Sequence, residues 1–144
     1  MTFLDAYGLV ALVVDGPAAD EVQALLQSGD ARVVAINFAE AIDVATRVHG
    51  ASGNELRSAI EPLLLSRSLV TAVSDEQQAW VAGELRARHY DRRTQPLSLA
   101  DCFLLAHALA EGASIATADP AVAEVARKQG VGLVALHDSS GQRP

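Results

Sequence analysis

Cysteine is almost missing from this chain of 144 residues. Cys102 stands alone, so no disulfide closes within the chain and no cysteine-based zinc site can be built from it. It lies in an apolar stretch and reads as a small core residue. Lysine is equally scarce: Lys128 is the only one, and nearly all positive charge is arginine. Arginine suits bidentate phosphate contacts, and genomic base composition explains the same bias. Aromatic residues make up 4% of a chain that is 50% apolar, so alanine, valine and leucine must build the core. No apolar run reaches membrane-spanning length. Leu9–Val14 is apolar but follows Asp5 with no basic lead-in, unlike a signal peptide, and the expected location is cytoplasmic. Basic excess is absent too: 18 acids against 11 bases give a net charge of −7, which excludes a general nucleic-acid-coating protein. A nuclease survives that test, because a metal neutralises a local acidic site. Mean hydropathy is +0.19, which fits either a well-filled core or apolar surface meant for another protein chain.

The length fits one domain, 1–144. Short apolar, β-favouring runs occur at Thr2–Leu4, Arg32–Ile36, Ser68–Val73, Ala113–Thr117 and Gly132–Leu136, with a weaker one at Leu97–Leu99. Helical patterns lie between them: Ala6–Val14, ended by Asp15-Gly16-Pro17; Ala18–Gln27, with Pro17 in its first turn; Asn37–His49; and Asn54–Leu65, where Pro62 is expected to kink or shorten the helix. Ser74–Arg88, Ser98–Glu111 and Pro120–Gln129 complete the set. Strands alternating with helices of this length predict parallel β-α units. The expected fold class is α/β, a three-layer α/β/α domain around a mostly parallel sheet of four to five strands.

Four acids stand where such a chain gathers them. Asp5, Glu40, Asp101 and Asp119 each follow an apolar run or open the next helix, and groups at the carboxyl ends of parallel strands share one rim. Capping is the plain alternative for each. Asp119 precedes Pro120, Ser98-Leu99-Ala100-Asp101 has capping-box spacing, and Asn37-Phe38-Ala39-Glu40 has it in fuller form. Where Ser98 and Asn37 already cap, however, Asp101 and Glu40 are left in apolar surroundings with no basic neighbour in sequence. A buried carboxylate must be paired or metal-bound, and the hard cation that suits it is Mg²⁺ or Mn²⁺.

Phe3-Leu4-Asp5-Ala6, Asn37-Phe38-Ala39-Glu40, Leu97-Ser98-Leu99-Ala100-Asp101 and Thr117-Ala118-Asp119 resemble, in order, the successive signatures of PIN-domain ribonucleases, and of the VapC-type toxins of toxin–antitoxin pairs in particular. The resemblance covers essentially the whole chain. It implies a metal-dependent endoribonuclease in which Asp5, Glu40 and Asp101 are core ligands of Mg²⁺ or Mn²⁺ and Asp119 is more peripheral. Asn37, Thr117 and Ser98 would support these acids. It also implies an RNA substrate, an inhibitory antitoxin partner, and a homodimer or larger assembly. One departure is visible: Tyr7 stands two residues after the first acid, where a small hydroxyl residue is usual.

Arg86, Arg88, Arg92 and Arg93 form the one basic cluster, just before the Asp101 helix. They read either as RNA-backbone contacts near the acidic rim or as a solvated helix end, and Tyr90 among them could stack a base. His49, His89, His107 and His137 are scattered and read as surface or core residues. The principal alternative is a noncatalytic PIN-like module that binds RNA or protein. A receiver-type signalling domain fits poorly: Asp5 lacks an adjacent acid, Ser74-Asp75 is the nearest phospho-acceptor candidate, and no lysine follows the last strand. Tyr7 replaces the second aspartate of a haloacid-dehalogenase-type phosphatase, Gly130-Val131-Gly132 precedes a strand where a dinucleotide site would follow one, and no Gly-x-Ser-x-Gly elbow occurs.

Overall fold

The computed structural model describes residues 1–144. In chain order it contains β1 (Thr2–Leu4), α1 (Ala6–Val13), α2 (Ala19–Gln27), β2 (Ala31–Val34), α3 (Ala35–Arg47), α4 (Gly53–Leu65), β3 (Leu69–Ala72), α5 (Glu76–His89), α6 (Leu99–Glu111), β4 (Ser114–Thr117), α7 (Pro120–Gln129) and β5 (Gly132–Ala135). The five strands form one parallel sheet in the order β3-β2-β1-β4-β5. The shortest strand is therefore central. The switch point lies between β1 and β4: the chain runs outward from β1 to β2 on one side and from β4 to β5 on the other, as at the ligand-binding crevice of open α/β sheets.

Both faces of the sheet are covered, and the strand sequences show why. Side chains alternate between faces along a strand, so Leu4, Val33 and Ala116 join one core while their neighbours Phe3, Val34 and Ile115 join the other. The first core packs under α1–α4 through Leu9, Val22, Leu56 and Ile60. The second packs under α5–α7 through Leu85, Leu104, Leu105, Val122 and Val125. Cys102 is fully buried in that second core, and burial pushes its thiol up to about 11, so it serves as a small apolar filler. The core does not absorb all the apolar residues: Trp80, Val73 and Leu65 stay open to solvent. No helix is long and apolar enough to cross a membrane.

Five sequence expectations are corrected. β2 ends at Val34, and Ala35 and Ile36 already belong to α3. The apolar run passes from a buried strand straight into a helix, and hydrophobicity carries no boundary there. Asn37 consequently lies inside α3 rather than capping it; Val34 is the N-cap residue and makes no side-chain cap bond. Leu97–Leu99 is not a strand: Ser98 caps α6 and Leu99 begins it. Pro62 does not end α4, which runs on to Leu65. The carbonyl it leaves unpaired, four residues back at Ser58, is on an exposed position where water can satisfy it. Pro17 also falls just before α2 rather than in its first turn.

Candidate metal and RNA site

Asp5 follows the central strand directly and caps α1. Its Oδ1 accepts from the backbone N–H of Gly8 at 2.9 Å. The parallel pairing of Leu4 with Ala116 brings the next residue of β4, Thr117, beside it. The Thr117 hydroxyl donates to Asp5 Oδ2 and accepts from the Asp119 N–H at 2.9 Å. Asp119 caps α7, its Oδ1 accepting from Ala121 N at 2.6 Å, with Pro120 in the first turn. Asp101 closes a full capping box on α6: Ser98 Oγ accepts from Asp101 N at 3.0 Å, and Asp101 Oδ2 accepts from Ser98 N at 2.7 Å. The capping roles are thus real for Asp5, Asp101 and Asp119. They use only part of each carboxylate, which offers about four lone-pair sites.

All four acids line one pocket of about 550 Å³. Glu40 enters it from the second turn of α3. None of the four is in an ion pair. Asp5 is 5% exposed, and its pKa is pushed up to about 7. Burial is the main cause, offset by the Thr117 and Gly8 hydrogen bonds and reinforced by Asp101 and Asp119. Asp101 is also raised, by burial first, against the lowering contacts of Ser98 and with repulsion from Asp119. Burial again leads for Glu40, with Asp101 and then Asp43 adding repulsion. Asp101 therefore acts electrostatically on both Asp5 and Glu40.

This donor set fits a hard divalent cation. The four acids offer carboxylate oxygen with no ion-pair partner, and a cation there would offset both the repulsion and the burial penalty. The acids are not drawn into a ready-made cage, however, since no three acidic, histidine or cysteine side chains stand close enough to enclose an ion as positioned. One turn before Glu40, Asn37 is completely buried with neither amide atom hydrogen-bonded, an arrangement that ordinarily costs stability.

Arg86, Arg88, Arg92 and Arg93 stay outside this pocket. Arg86 is occupied structurally: its Nε donates to Leu97 O at 3.3 Å, and its guanidinium lies 4.2 Å from the centre of the Tyr90 ring. That clamp ties the end of α5 to the segment leading into α6. Arg88, Arg92 and Arg93 are exposed, the last two in a turn organised by Asp91, whose Oδ1 accepts from the N–H groups of Arg93 and Thr94.

His107 is buried against Ser74, Nε2 to Oγ 2.9 Å; His89 meets Gln129 at 3.0 Å; and His137 Nδ1 lies 3.0 Å from Glu21. His49 is different, being exposed and lining the acidic pocket. So do Tyr7 and Ser139, the latter from the segment after β5. Tyr7 is two residues from Asp5 in sequence, but no sequence spacing links His49 or Ser139 to the acids; only the fold brings those two there.

The PIN domain family model matches residues 2–128. No curated protein sequence matches the chain. Among solved structures, the fold is similar to a chain of FitAcB from Neisseria gonorrhoeae, with 22% identity, a TM-score of 0.61, and coverage of 92% of this chain and 96% of that one. It is also similar to a chain of VapBC2 from Rickettsia felis, bound to a DNA fragment from their promoter, at 18% identity and TM-score 0.63, covering 92% and 96%. A toxin–antitoxin complex from Klebsiella pneumoniae matches at 16% identity and TM-score 0.59, covering 83% and 87%. At these identities the likeness speaks for the fold alone. The family match is broader in what it carries: running from the central strand through nearly all of α7, it makes this chain a member of the PIN-domain family.

Proposed function

We propose that this chain, acting as one unit over residues 1–144, is a metal-dependent endoribonuclease of the VapC toxin type, working in the cytoplasm and held in check by an antitoxin. The observation that carries this reading is the single pocket lined by four carboxylates without ion-pair partners, with Asp5, Glu40 and Asp101 all raised in proton affinity. Asp5, Glu40 and Asp101 would hold Mg²⁺ or Mn²⁺, with Asp119 at the periphery. When bound, such an ion supplies an activated water and neutralises charge at the scissile phosphate.

The protein's own residues prepare that site. Thr117 fixes one oxygen of Asp5, and Gly8 holds the other. Ser98 anchors Asp101 through Oδ2 only, leaving Oδ1 without a protein partner, and Asp119 Oδ2 is likewise uncommitted. Asp5 must give up its proton before it can ligate, so binding releases a proton and weakens in acid. Arg88, Arg92 and Arg93 supply exposed positive charge beside the α6 entrance for the RNA backbone; Arg86 serves there as a clamp. The antitoxin partner is supported by the fold's likeness to a toxin–antitoxin complex and to VapBC2 bound to a DNA fragment from their promoter. Self-association of the chain is part of the same proposal.

The test is cleavage of total cellular RNA by the purified chain with Mg²⁺, with Mn²⁺ and with EDTA, beside the Asp101→Asn variant. Discrete metal-dependent cuts that vanish in the variant are expected. Undiminished cutting by folded Asp101→Asn would remove the ligand assignment. Metal binding without cutting would instead favour a noncatalytic module.

A further inference from the structure

The acids are only part of what lines their pocket, which also runs along α1 from Asp5 to Val14 and along α3 from Glu40 to Val44. Its volume, about 550 Å³, falls within the range that takes an organic ligand rather than an ion alone. Along α1 and α3 away from the acids the lining is mostly apolar: Ala11 of α1, Val14 just after it, Pro17 of the following turn, and Val44 of α3. That lining is a built surface. Gly16 N–H donates to Ala11 O at 2.8 Å, and a side chain at Gly16 would come within 3.3 Å of the Ala11 Cα, so the turn sits directly on the helix. Two rings complete it. Tyr7 is fixed by its hydroxyl, which donates to His137 O at 2.9 Å. His49 is exposed at the pocket and makes no side-chain hydrogen bond or ion pair that would commit its ring elsewhere.

We infer that this apolar stretch is a subsite for one nucleobase adjoining the scissile phosphate, with His49 as the residue that stacks on it; the inference rests on the ribonuclease reading of the acids. Charge selects the occupant. A further phosphate is repelled by four carboxylates and meets no arginine here, whereas a base is flat, uncharged and covalently carried into the pocket by the phosphate it flanks. Such a base must be unstacked, so the substrate class is single-stranded RNA or a loop, whose splayed bases proteins read by stacking on aromatic and histidine rings. Tyr7 then has a purpose as well. Held by the chain segment after β5, it sets the width of the slot.

The experiment uses RNA oligonucleotides containing a mapped cut site, intact or with an abasic residue on either side of the cut. For the wild-type protein, one of the two abasic positions should raise KM about tenfold at nearly constant kcat, in line with the loss of one stacked base. His49→Ala should raise KM on intact RNA by a similar factor and become indifferent to that abasic position, and His49→Phe should restore the discrimination. Val44→Trp, at a half-buried position where an added ring fills the slot, should weaken intact RNA and spare the abasic one. Equal abasic penalties in wild type and His49→Ala would overturn the subsite while leaving the nuclease standing. A fall in kcat with a flattened pH profile and unchanged KM would overturn it too, by assigning His49 to proton transfer. A wild-type protein that cuts no RNA would remove the reading on which the subsite depends.

Discussion

Asp5→Asn should stabilise the metal-free protein at neutral pH, by an amount that shrinks in acid. The ordinary value for Asp5 is 3.8 and its value in the fold is about 7. Between those limits the native state binds this proton more tightly than the unfolded chain. The contribution of Asp5 to stability therefore grows as pH falls from 7 toward 4, opposite to the usual paired carboxylate. Taking those two values, the linkage amounts to about 2 kcal/mol between pH 7 and pH 5. Asparagine keeps the shape and removes the titration. Its carbonyl can still accept from Gly8 N–H, and the Thr117 hydroxyl can turn to accept from its amide. Urea denaturation in EDTA at pH 5, 6 and 7 reads the effect. The stability advantage of Asp5→Asn over wild type should be largest at pH 7 and smaller at pH 5 by about 2 kcal/mol. Other carboxylates titrate in both proteins and largely cancel in the difference. Mg²⁺ added at pH 7 should then stabilise wild type selectively, since a ligand that binds only the native state raises its stability by mass action. Parallel wild-type and variant profiles from pH 5 to 7 would refute the reasoning, because Asp5 could not then be a buried proton-binding carboxylate.

Thr117→Val removes a hydrogen bond that lowers the proton affinity of Asp5, so Mn²⁺ binding at pH 7 should weaken about 10- to 100-fold, as for lost supports of metal ligands; an unchanged titration would show that Thr117 does not orient Asp5. Arg92→Ala with Arg93→Ala should lower RNA affinity and flatten its log–log salt slope by roughly 1.4, the value for two lost single-strand phosphate contacts. The same slope in both proteins would return these residues to ordinary surface. Leu104→Ala, at a fully buried position in the second core, should cost about 2–5 kcal/mol in denaturant unfolding, and a loss below about 1 kcal/mol would contradict the packing described for α6.

The order of elements and the acids were legible for the same reason. Buried parallel strands are short apolar runs, and a polar residue directly after such a run falls at the sheet rim. Asp5 and Asp119 announce themselves in this way, and Ser98 with Asp101 does so by capping-box spacing. The β2–α3 boundary was not legible, because Val33-Val34-Ala35-Ile36 is apolar on both sides of it. That ambiguity shifted Asn37 from inside a helix to its cap. The pocket's other wall was beyond local reading altogether. Tyr7 reaches a carbonyl 130 residues away, and Ser139 enters the pocket because Glu21 accepts from both the backbone N–H of His137, at 3.0 Å, and the Arg143 guanidinium. Neither Tyr7 nor Glu21 carries a local pattern that names such a partner.

The central place of β1 has a consequence for the order of events during synthesis. Its neighbour β4 emerges from the ribosome only after more than a hundred further residues, the separation that also divides Asp5 from Thr117. Long-range pairing of this kind is slow, since chain entropy must be lost before the contact forms. The middle of the sheet, and with it the junction that joins the two sides of the acidic pocket, closes only once β4 has been made. Nascent chains that stop before Asp101 hold only Asp5 and Glu40 of the four acids. Topology alone thus delays completion of the four-acid pocket until β4 and the start of α7 have been made, whatever has already formed on the β2–β3 side of the sheet.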